Sequence, residues 1–113
     1  TGLWIMIAFY HDVETASGVI TKYHKITYIA LEYSDNKVTQ MLIDSWVSKE
    51  AHDNNKYSLD RNCVYLPVTP PDDLPVKELF KWGYEQLISP EYVNSYNVYK
   101  YTGCIKDENY DGN

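Results

Sequence analysis

The sequence predicts an α+β domain: an antiparallel β-sheet, meander or sandwich-like, with one amphipathic helix packed on a face. Three observations carry this. The first half of the chain holds long extended segments rich in Val, Ile, Thr and Tyr. A polar turn, Ser34-Asp35-Asn36-Lys37, separates two of them with residues that tolerate a tight hairpin. One later stretch repeats its apolar residues at helical spacing. A chain of 113 residues is one domain's worth, so residues 1–113 are taken as a single domain.

Taken in order, Leu3 to Tyr10 is apolar on both alternating faces and reads as a buried strand bounded by His11-Asp12. Val19 to Tyr33 and Val38 to Val47 follow as the second and third strands of a meander. Ser48 to His52 fits a single helical turn capped by Ser48. Cys63 to Leu66 is a short strand, and Thr69 to Asp73 a rigid acidic connection. The main helix is expected from Pro75 to Ser89, docking through Val76, Leu79, Phe80, Gly83, Tyr84 and Leu87, with Trp82 off that stripe. Pro75 suits the first helical position and Pro90 ends the helix. Tyr96 to Tyr101 is strand-like, and residues 105–113 are expected to form a flexible acidic tail.

Composition narrows the function. Sixteen acidic residues against ten basic ones give a net charge of −6, and Arg61 is the only arginine. Duplex binding needs clustered Lys and Arg, so no direct nucleic-acid contact is expected. No apolar run approaches the roughly 18 residues of a spanning helix, and no membrane partner is expected. Leu3 to Phe9 is short for a signal peptide and lacks its basic flank. Cys63 and Cys104 permit at most one disulfide and are expected as partly buried thiols in an intracellular protein.

The chemistry-bearing residues form no catalytic pattern. His11, His24 and His52 lack the spacing of a helical zinc motif, and Cys63 lacks the local signature of a nucleophile. Asp107 to Gly112 matches the front half of a calcium loop, but the required Glu at its twelfth position is missing. Phosphate-binding glycine motifs are absent. Asp72 and Asp73 are adjacent, which suits an acid/base pair poorly. The expectation is therefore no catalytic residue, no metal and no cofactor. What stands out is tyrosine: 12 residues, against two Phe and three Trp. Aromatic rings with a hydroxyl suit half-wet surfaces. The candidate interface is Trp4, Met6, Trp82, Tyr92, Tyr96, Tyr99 and Tyr101, a face for protein or sugar, or alternatively the ordinary filling of a small β-rich core.

The order Tyr23-His24-Lys25-Ile26, then Ser45 to Ala51, then a Pro-rich acidic link, then Leu79-x4-Tyr84-x2-Leu87 and Pro90-Glu91-Tyr92 resembles small proteins encoded among the tail genes of tailed bacteriophages. The resemblance spans Tyr23 to Tyr92 and transfers no active-site residue. It implies a non-enzymatic structural or assembly protein in the virion, or in the host cytoplasm during assembly. Its partners would be other phage structural proteins; copies of itself are expected from Leu3 to Phe9 being apolar on both faces and from unpaired strand edges, through those edges or the sheet face the helix leaves uncovered. The alternative is a small acidic phage-encoded inhibitor of a host protein. A carbohydrate-binding or hydrolytic module built on the Tyr-rich face is a third reading.

Overall fold

The computed structural model describes residues 3–89 and 101–111. Five antiparallel strands form one sheet: β1 (Leu3–Glu14), β2 (Ile20–Glu32), β3 (Val38–Trp46), β4 (Asp60–Leu66) and β5 (Ile105–Asp111). Their spatial order is β4-β3-β2-β1-β5, so a four-strand meander is extended on the outer side of β1 by the last strand. This is the expected α+β class, on a single sheet. Two helices flank it: α1 (Lys49–Asp53), and α2 (Leu79–Ile88), which a 3₁₀ turn at Val76–Glu78 precedes.

β1 runs past the polar His11-Asp12 because its register against β2 shifts between Tyr10 and Val13, as a bulge allows. The expected acidic tail is corrected: Ile105–Asp111 is an edge strand, in register with β1 from Leu3↔Asp111 to Tyr10↔Ile105. Its run of polar residues from Lys106 to Asn109 suits an edge strand, and Lys106, Asp107 and Glu108 discourage further strand pairing. An extended strand also spreads Asp107 and Asn109 along the chain instead of closing them into a calcium loop. The strand-like call on residues 96–100 lies outside the described residues; Tyr101 itself is not in a strand.

α2 packs on the sheet through Gly83, Tyr84 and Leu87, with Trp82 also buried. The expected docking face is thus partly corrected. Val76 is 88% exposed and Phe80 44% exposed, whereas Trp82 belongs to the interior. The 3₁₀ turn accounts for Val76, since its three residues per turn break the phase of the helical stripe. Phe80 lies in the first turn of α2, and Trp82 turns toward Leu74, with which it lines a small pocket. Gly83 lets the helix sit close on the sheet: a Cβ there would sit 3.0 Å from Ile29 Cδ1 and 3.2 Å from Met41 Sδ.

The Tyr84 hydroxyl reaches into the sheet itself. It accepts a hydrogen bond from the Ile26 N–H (2.9 Å) and donates one to the Ile7 carbonyl (2.8 Å). Ile7 and Ile26 lie opposite each other in the register set by Phe9↔His24 and Tyr10↔Tyr23. The hydroxyl therefore stands in the ladder where a direct backbone bond would otherwise run. Burial of the ring holds the phenol's pKa above its ordinary value, so the group stays a neutral donor.

Candidate interaction surface

The two faces of the sheet differ. The α2 face holds the main core: Met6, Phe9, Ile26, Met41, Ile43, Val64, Leu66, Tyr84, Leu87 and Tyr101. His24 lies inside it, fully buried between the rings of Phe9 (5.2 Å) and Tyr101 (5.6 Å). Its Nε2 is 2.6 Å from the His11 carbonyl, which only accepts, so Nε2 carries the proton. Nδ1 then accepts from the Ser45 hydroxyl at 2.7 Å. Burial depresses the imidazole's pKa, the dominant cause, and keeps it neutral. A Ser–His pair of this polarity resembles an activated nucleophile, but both residues are enclosed in the core.

Among the described residues, the opposite face is covered at one end only. There α1 stands over Ala8, Tyr23 and Trp46, with Tyr10 and Ala51 packed beside them. Ser48 caps α1 by accepting the Ala51 N–H at 3.1 Å, and the Trp46 indole donates to the Lys56 carbonyl at 2.9 Å. The Tyr23 hydroxyl donates to Asp107 at 2.7 Å, and Lys49 pairs with the same carboxylate at 3.4 Å. Burial raises the Tyr23 pKa, and the Asp107 hydrogen bond raises it further. His52 lies against Trp46 and Tyr23. This cluster ties α1, β2 and β5 together. Among the described residues every buried side-chain nitrogen and oxygen has a partner.

Beyond α1 the same face is open across β2, β3 and β4. Cross-strand rows run Lys25–Asp44–Arg61, Tyr28–Leu42–Cys63, Ala30–Gln40–Tyr65 and Glu32–Val38. Tyr28 is 50% exposed and Tyr65 44%, and the apolar or small side chains between them are half-buried. Arg61 grips Asp44 through two bonds of 2.7 and 3.1 Å. The Gln40 amide donates to Cys63 Sγ at 3.2 Å, and the pKa of Tyr65 is raised by its hydrogen bond to that sulfur.

The sequence-predicted interface residues do not gather here. Met6, Trp82 and Tyr101 are buried, and Met6 and Trp82 only line small pockets away from this face. Trp4 is 63% exposed, paired with the Tyr110 ring at 5.1 Å on the far side of β1, and Tyr92, Tyr96 and Tyr99 lie outside the described residues. Tyr28, Leu42 and Tyr65 were missed because alternation shows that a strand has two faces without showing which one the helix covers. His24 bonds to the backbone carbonyl of His11 rather than to its ring, His52 lies in α1 against Trp46 and Tyr23, and among the described residues no group of three or more His, Cys, Asp or Glu is placed to hold a metal ion. No described helix is long and apolar enough to cross a membrane. No protein-family model, curated protein or solved structure matches the chain, which leaves its own two sheet faces as the ground for a functional reading.

Proposed function

We propose that the protein is a non-catalytic assembly protein that works by binding other proteins, and that its setting is the tail region of a tailed bacteriophage. The observation that carries protein binding is the open sheet face, where Tyr28 and Tyr65 stand half-exposed around Leu42 and Val38. Contiguous exposed apolar surface of this kind marks contact sites, and tyrosine is enriched in them.

The phage setting rests on the resemblance of Tyr23–Tyr92 to tail-region proteins. Its Trp46-to-Ala51 segment has a clear physical task in this chain: Trp46 seats α1, Ser48 caps it and Ala51 packs beneath it. That corner borders the open face. Mass spectrometry of phage particles purified from the source tests the setting, with this chain expected alongside the tail proteins. Its absence from particles, together with capture of one host protein in stoichiometric amount, would replace this reading with the acidic-inhibitor one.

A further inference from the structure

The open face carries a pattern that fits a second copy of itself. The chain as a whole has a net charge of −6, but the four charged side chains on these rows, Lys25, Arg61, Glu32 and Asp44, cancel. Two copies meeting through this face thus bring no net charge of like sign together there. Along β2 the rows run Lys25, Tyr28, Ala30, Glu32, with a bulge after Ile26 absorbing one residue. Asp44 is taken by Arg61, whereas Lys25 is in no salt bridge among the described residues and the Glu32 carboxylate is met only by the Ser34 hydroxyl, at 3.0 Å.

We infer that two copies pack face to face through β2, β3 and β4, about a two-fold axis that crosses β2 between Tyr28 and Ala30. That operation inverts the row order, as an isologous interface requires. Lys25 of each copy then faces Glu32 of the other at both ends of the patch. Tyr28 lies over the partner's Ala30, a large side chain on a small one, and Cys63 lies over the partner's Tyr65. Packed sheets twist by about 30° relative to one another, which the long Lys25 and Glu32 side chains can span at the ends. α1 stands one row beyond Lys25, at Tyr23↔Trp46, and so borders the patch without covering it. Three strands about 4.8 Å apart and about 20 Å of strand make a flat patch on the order of 300 Å² per copy. That is small beside the roughly 800 Å² per partner of a standard interface, so the dimer should be a weak one, populated at the upper end of the concentration range tested.

This inference rests on the protein-binding reading above, and charge reversal tests it on the full chain. Sedimentation equilibrium from the low micromolar to the sub-millimolar range should show wild type rising toward twice the monomer mass. Lys25→Glu and Glu32→Lys should each weaken association about tenfold or more, and the double reversal should restore it to within about threefold. Glu32→Lys is the discriminating single change, because it lowers the net negative charge and would strengthen a non-specific association. In a Cys104→Ser background, maleimide labelling of Cys63 should slow as wild-type concentration rises, but not in Lys25→Glu. Melting temperatures confirm that each variant is folded. A wild-type monomer throughout the range, or a dimer that neither reversal weakens, overturns the inference. A monomer that still joins phage particles overturns this dimer alone and leaves the protein-binding reading standing, whereas a dimer absent from particles leaves the dimer standing and overturns the phage setting.

Discussion

Two side chains show how single polar atoms hold this fold. Tyr84 places one hydroxyl between a strand donor and a strand acceptor, so Tyr84→Phe strips partners from both the Ile26 N–H and the Ile7 carbonyl. Leaving buried groups unpaired costs about 1–3 kcal/mol, and chemical denaturation should show a loss in that range with the midpoint shifted and the slope retained. His24 makes stability depend on pH. Its folded-state pKa lies below the ordinary 6.5, so the unfolded chain binds the proton more readily. The His24 contribution is complete above pH 6.5 and is lost as pH falls below it, by at most about 1.4 kcal/mol per pH unit. Denaturation between pH 7.5 and 5.5 should show wild type weakening and His24→Gln, which keeps a polar side chain but does not titrate, following a flatter course. Neither role was legible in the sequence: there His24 is one of three histidines without zinc spacing, expected on the surface. It is instead fully buried, and only the register brings Ser45 and the His11 carbonyl to its two nitrogens.

At the scale of elements, the existence of the helix was legible and its docking angle was not. Apolar spacing identifies Gly83, Tyr84 and Leu87 correctly, but it extends the stripe back to Phe80 and Val76, where the 3₁₀ turn changes the period. Leu87→Ala should therefore cost about 2–5 kcal/mol, the usual range for a buried leucine. Phe80→Ala, by contrast, should cost less than about 1 kcal/mol, since the ring is already half in water. Equal losses for the two in thermal melts would restore Phe80 to the docking face. Gly83 gives a graded test. Alanine gains up to about 1 kcal/mol of helix propensity while pushing the flexible ends of Ile29 and Met41, so Gly83→Ala should be near neutral. Gly83→Leu adds bulk that the helix–sheet contact cannot absorb and should cost about 1–3 kcal/mol or more.

Across the whole molecule, the strand at the sheet's outer edge is the part least visible in sequence. Ile105–Asp111 has no apolar rhythm because an edge strand draws its order from the neighbour's backbone. Ending the chain after Cys104 should remove the partner of β1 and the Asp107 tie to Tyr23 and Lys49, and urea unfolding followed by circular dichroism should lose its single cooperative transition. The open face was legible only as an excess of tyrosine, because which tyrosines stay wet is decided by sheet register and helix placement. The Tyr84 hydroxyl has one more consequence at this scale. β1 with β5 and β2 with β3 and β4 are two half-sheets, and the seam between them is zipped by backbone pairs on one side of Ile7–Ile26 and by a helix side chain at that point. The Ile26 amide proton is therefore a gauge of whether α2 is seated. In native-state hydrogen exchange it should open with the helix, faster than its strand neighbours, and Tyr84→Phe should accelerate it selectively.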